Sequence, residues 1–141
     1  MHNPLDIVPG TNNFRWKEGY SSIKIENIRQ NKVIPIPEDK EDNAIWVFIQ
    51  LQILRDYFNR VLNINNEGCL YRDTLYNRQA GGAFRSRHLF ALAGDISIPG
   101  VHSMEIYRAA REKTLFKGFG IISARSIHLD KRLYYWFKKY Y

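Results

Sequence analysis

The sequence predicts one α+β domain in which N-terminal helices pack on a mostly antiparallel sheet. Three observations carry that expectation. From Pro37 to about Leu62, apolar side chains recur at helical steps of three and four residues. After Gly94 the chain changes to short runs that alternate or break at glycine, with one more helical stretch among them. The 141 residues, 45% apolar and 25% charged with nine Tyr, eight Phe and three Trp, suit one core and a single domain over residues 1–141.

Residues 1–13 are rich in turn formers and read as an extended arm, with His2 in a disordered part of it. Phe14 to Tyr20 reads as a short docking segment held by Phe14 and Trp16. Pro35 and Pro37 stop any regular element. Pro37 then opens a helix whose start carries Glu38, Asp39, Glu41 and Asp42, where the positive helix end favours carboxylates. Ile45, Phe48, Ile49, Gln52, Ile53 and Tyr57 run down one side of it. Trp46, Leu51, Leu54, Phe58, Val61 and Leu62 widen the apolar surface, so burial on more than one side is expected. Residues 63–68 form a turn, Cys69 to Tyr71 a short strand, and Thr74 to Ala80 a short helix ended by Gly81-Gly82. Asp95 to Ile98 alternates as a strand and Pro99-Gly100 turns. Ser103 to Lys113 is an amphipathic helix with Ser103 as N-cap, His102 capping or flanking it and Glu105 in its first turn. Gly118 to Ile122 and Ser126 to Asp130 read as strands, and the tail from Lys131 to Lys139 as a final strand or helix with one aromatic face.

The net charge of +7 points to an anionic partner: nucleic acid, an anionic membrane or a cell wall. The basic residues are scattered, and a nucleic-acid reading of the tail leaves the histidines and carboxylates described next unexplained, so no nucleic-acid partner is expected. Cys69 is the one cysteine, which excludes an internal disulfide. The N-terminus has neither the basic start nor the apolar run of a signal peptide, and no stretch is long and apolar enough to span a membrane. Synthesis in a cytoplasm without secretory export is therefore expected.

His88, Asp95 and His128 make up two imidazoles and one carboxylate, a standard ligand set for catalytic zinc with an open fourth position. On spacing alone, a half-buried strand histidine at 128 and a turn or cap at Asp95 are the more ordinary reading. More specific is the order of short motifs: Tyr71-Arg72, Tyr76-Asn77-Arg78, Gly81-Gly82-Ala83, Ser86-Arg87-His88 and Ala93-Gly94-Asp95-Ile96. Ile98-Pro99-Gly100, the helix from Ser103, Gly118-Phe119-Gly120 and His128-Leu129-Asp130 with Arg132 then follow.

This string resembles the active-site segment of the M15 peptidases, the zinc D-alanyl-D-alanine carboxypeptidases, and in particular their small branch related to the Hedgehog-type metal domain. With the earlier helix and Phe14 to Glu18, the resemblance covers most of the chain. It implies a Hedgehog/DD-peptidase-like fold and Zn²⁺ bound by His88, Asp95 and His128, with the residues between the first two ligands turning so that both reach one metal. It assigns Arg72 to the substrate or to charge developing in the transition state, and places Ser86 along the substrate cleft. Three departures from the pattern stand out. Ala91 stands where the family commonly has Gly, which raises crowding. Arg125 and Ser126 stand where many relatives have an acid or His, and neither can serve as general base. Ile122 replaces a tyrosine. Asp130 is the nearest acid and shares a strand face with His128; it either relays the proton or orients His128.

The function implied is a zinc metallopeptidase hydrolysing peptidoglycan stem or cross-link peptides, as a D,D-carboxypeptidase or a murein endopeptidase. Export without a signal suggests a phage endolysin or virion-associated lysin, delivered to the wall by a holin or the particle. The alternative is a catalytically inactive zinc-containing domain that binds wall or serves as a structural part of a particle.

Overall fold

The computed structural model of the chain describes residues 1–24, 31–65, 70–79 and 81–141. Cys69, Ala80 and the turn residues at 66–68 lie outside them. Packing centres on helix α1 (Glu41–Phe58), which follows a 3-10 helix at Glu38–Lys40 that starts from Pro37. It ends at Asn59, whose φ of 50° gives a left-handed cap. Val61 and Leu62, expected inside the helix, therefore lie beyond it. Ala44, Val47, Phe48, Leu51 and Leu54 are fully buried, while Ile53 and Tyr57 from the expected apolar side face solvent. Gln50 and Gln52 are buried as well, and each is satisfied: Gln50 accepts the Leu115 N–H at 2.9 Å, and Gln52 accepts those of Asn12 and Asn13 at 3.1 Å.

Those last contacts correct the reading of the N-terminus. Residues 1–13 turn back on α1 rather than extending, with Val8 fully buried and Ile7 bridged to Arg15. His2, expected to be disordered, stacks on Trp16 with ring centres 4.2 Å apart and bonds Glu41 at 2.7 Å and the Tyr20 hydroxyl. Phe14 and Trp16 are core residues, as the sequence suggests.

Strands β1 (Ser21–Lys24) and β2 (Asn31–Ile34) form a separate antiparallel pair that the sequence reading missed. The main sheet has the order β3-β4-β6-β5-β7. Its strands are β3 (Asn63–Ile64), β4 (Ala93–Ser97), β5 (Gly118–Ile121), β6 (Ile127–Asp130) and β7 (Trp136–Lys139). All pairings are antiparallel except β5 with β7, which is parallel. Leu70 and Tyr71 belong to no strand, and a short helix α2 (Thr74–Gln79) follows them. Helix α3 (Ser103–Lys113) connects β4 to β5. Its N-cap is His102, not Ser103: His102 Nδ1 accepts the Met104 N–H at 3.1 Å, and Ser103 is the first buried residue of the helix.

Register decides what each face of the sheet carries. Asp95 lies opposite His128, and His128 opposite Gly120; Ala93 lies opposite Asp130, and Asp130 opposite Gly118. Ile96, Ile127, Leu129, Phe119 and Ile121 alternate with these and are fully buried or nearly so. That apolar face meets α1, since a Cβ on Gly94 would stand 3.6 Å from Leu51 and 3.7 Å from Val47. The opposite face carries Asp95, His128 and Asp130.

Candidate metal centre

His88 is delivered by a 3-10 helix at Arg87–Phe90, capped by Ser86, whose Oγ accepts the His88 N–H at 3.3 Å. The turn closes at Ala91, which is fully buried and has φ 54°. A left-handed conformation costs an L-residue roughly 1–2 kcal/mol, and glycine adopts it freely. The departure noted at Ala91 is thus borne by the backbone. From there the chain enters β4 and presents Asp95, while β6 presents His128 beside it.

Three potential ligand atoms converge. His88 Nε2 lies 3.1 Å from Asp95 Oδ1 and 3.2 Å from His128 Nδ1, and Asp95 Oδ1 lies 2.9 Å from His128 Nδ1. Among the described residues, these three side chains form a group that could hold a metal ion. Tetrahedral ligands at zinc distances of 2.0–2.1 Å stand about 3.3 Å from one another, so the triangle needs to open only slightly. The remaining ring nitrogens are committed behind it. His88 Nδ1 bonds the Leu70 carbonyl at 3.1 Å, and His128 Nε2 bonds Asp130 Oδ2 at 2.7 Å. Each backing acceptor holds a proton on the outer nitrogen and leaves the inner one free to ligate. Two imidazoles and one carboxylate fit zinc.

The electrostatics reflect the same contacts. Burial lowers the His88 pKa, with attraction to Asp95 acting against it. Burial also opposes charge on His128, but its bonds to Asp130 and Asp95 outweigh this and push its pKa up to about 9. Burial alone would raise both carboxyls. The two histidines hold Asp95 well below the usual carboxylate range, and Arg132 with His128 lowers Asp130.

A cleft of ≈ 520 Å³ opens over the three residues, and four arginines (Arg72, Arg85, Arg87, Arg132) but only two carboxylates (Asp95, Asp130) line it. Arg72 and Ser86, read from the sequence as substrate-facing, both line it; Arg72 Nη2 lies 3.3 Å from Asp95 Oδ2. Asp130 is almost wholly buried, and Arg132 donates to its two oxygens at 2.7 and 2.6 Å. Arg132, already in the motif order, lines the cleft too, and sequence reasoning missed that Trp136 and Tyr140 of the tail join it there. A signal was present in Gly118 and Gly120, alternate glycines on one strand face, which mark a backbone that other side chains must approach.

Residues 19–130 match the family model of Peptidase M15, and this span contains all three potential ligands. No curated protein matches the chain. M15 peptidases are in general zinc-dependent, in keeping with the donor set found here. With well over half of its 141 residues matched, the chain belongs to the Peptidase M15 family.

Proposed function

We propose that this chain is a zinc peptidase of Hedgehog/DD-peptidase-like fold that hydrolyses peptidoglycan stem or cross-link peptides, as a D,D-carboxypeptidase or a murein endopeptidase. The observation that carries the reading is the trio of inward-facing ligand atoms of His88, Asp95 and His128, held from behind by Leu70 and Asp130. The excess of arginine in the cleft supports a carboxylate-bearing peptide as substrate, and the net charge of +7 suits an anionic wall. When bound, zinc supplies Lewis acidity and brings the pKa of a water toward neutrality. Arg72 offers a guanidinium, oriented by Asp95, for the charge that grows on the carbonyl oxygen. Ser86 Oγ helps to hold the peptide. Asp130 has the role of orienting His128, because its carboxylate is buried and engaged by Arg132 and His128 on both oxygens.

That engagement also favours a second reading, a metal-holding domain without turnover that binds wall or serves as a particle component: both carboxylates lining the cleft are already bonded. The deciding experiment is zinc content per chain for the parent and His88→Ala, alongside release of amino groups from purified peptidoglycan. The expected result is one zinc, lost together with hydrolysis on substitution. Zinc without hydrolysis over several wall types supports the second reading, and folded, zinc-supplied protein that holds none overturns both. Lysis of washed cells by added protein tests the role of phage endolysin or virion-associated lysin.

A further inference from the structure

Strand β7 lies beyond the matched residues, which end at Asp130, yet it builds one wall of the metal cleft. Its parallel register sets Gly118 opposite Trp136 and Gly120 opposite Lys138. Trp136, Lys138 and Tyr140 therefore share the sheet face that carries His128. The glycines of β5 make this approach possible. A Cβ on Gly120 would stand 2.9 Å from Tyr140 Cε2 and 3.3 Å from His128 Cβ, so the phenol ring lies on bare backbone beside a ligand histidine. A Cβ on Gly118 would strike the carboxylate of Asp130, to which Arg132 is bonded, and the Arg132 guanidinium sits 4.4 Å from the centre of the Trp136 ring. Trp136 meets His128 edge to face, with ring centres 6.5 Å apart. The backbone N–H of Tyr140 bonds Ile121 O at 2.9 Å and fixes the segment.

Both rings are held from below and partly open to the cleft, with Arg132 over Trp136 and Lys138 Nζ 4.7 Å from the centre of the Tyr140 ring. Tyr140 remains 55% exposed, and Ile122 joins it in the cleft lining. A rigid apolar surface beside a metal-type centre in an otherwise cationic cleft is a contact surface for the uncharged part of a ligand. Its closeness to His128 puts it beside the metal-type centre, so the group it would contact is one next to the reacting bond.

We propose that Trp136 and Tyr140 are specificity-determining residues, which receive the small apolar side chain of the substrate residue beside the bond that is cut. This rests on the peptidase reading. The test uses the zinc-loaded full chain, a stem pentapeptide ending in D-alanyl-D-alanine, and two analogues with glycine at the last or next-to-last position. Cleavage and calorimetric binding are both measured. The parent is expected to prefer alanine at one of the positions about fourfold, the value of one buried methyl at ~0.8 kcal/mol. Trp136→Ala and Tyr140→Ala bring that ratio close to one while zinc content stays at one per chain, and Tyr140→Phe retains the preference. A parent without the preference, or both alanine variants with it intact, overturns the proposal. Preferential binding without cleavage upholds the wall and removes the peptidase reading; cleavage without preference does the reverse.

Discussion

Four residues of β6 build two unlike structures. Ile127 and Leu129 are fully buried in the apolar core, whereas His128 and Asp130 alternate with them on the side of the cleft. The first pair is held by area and shape, to which many neighbours contribute a little each. The second is held by single atoms: Asp130 bonds His128 at 2.7 Å and Arg132 at 2.6 Å, and each bond determines where a lone pair points. Damage to the apolar face should lower the stability of the whole domain. Damage to the polar face should cost metal and substrate while the fold survives.

The largest effect should follow His88→Ala, with zinc per chain falling toward zero and hydrolysis falling with it. In the parent, zinc at a hundredfold excess over its Kd should stabilise by about 2.7 kcal/mol, read as a higher melting temperature, and His88→Ala should lose that shift. Leu129→Ala, one residue from His128 but on the other face, should destabilise by about 3 kcal/mol and still bind one zinc where folded. Loss of zinc from folded Leu129→Ala would mean that the two faces are not separable. Asp130→Asn should lower zinc affinity by about 10–100-fold, measured by competition with a chelating dye. An unchanged affinity would remove Asp130 from the support of His128.

The two faces should also differ in their response to pH. The His128 pKa is raised from 6.5 to about 9, so its proton stabilises the metal-free fold fully below pH 6.5, and this contribution fades as pH rises to about 9. Zinc needs the same nitrogen without its proton. Its affinity should therefore move oppositely, rising about tenfold per pH unit toward 9 and then levelling. Zinc titrations at several pH values in that window would show the slope; a flat profile would mean that no proton is displaced. The apolar face contains nothing that titrates, so the cost of Leu129→Ala should not change over the same range.

The apolar face was far more legible in the sequence than the polar one. Ser103 to Lys113 and Thr74 to Gln79 follow from local pattern, and β4, β5 and β6 follow to within two residues. The candidate ligand trio was singled out through the order of motifs, because the spacing of two histidines and an aspartate does not say that β4 and β6 pair in register. From the sequence the tail reads only as a final strand or helix, for a related reason. Aromatic residues occupy both of its faces, and a parallel partner across β5 leaves no local signature. His2 was misread because its partners Trp16, Tyr20 and Glu41 are distant in sequence.

The smallest effect tests the turn between His88 and Asp95, where backbone conformation and side-chain packing oppose each other. Ala91 and Ala93 are both fully buried, but Ala91 has φ 54° and Ala93 starts the extended strand β4. Replacing either with glycine loses a buried methyl, worth ~0.8 kcal/mol, and adds about 0.5–1 kcal/mol of unfolded-chain freedom. Only at 91 does glycine return the roughly 1–2 kcal/mol that the left-handed conformation costs alanine. Ala91→Gly should therefore lie within about 0.5 kcal/mol of the parent in denaturant unfolding, while Ala93→Gly should cost about 1.5 kcal/mol. Equal losses at the two positions would mean that the turn carries no strain, and that His88 and Asp95 are brought together by packing alone.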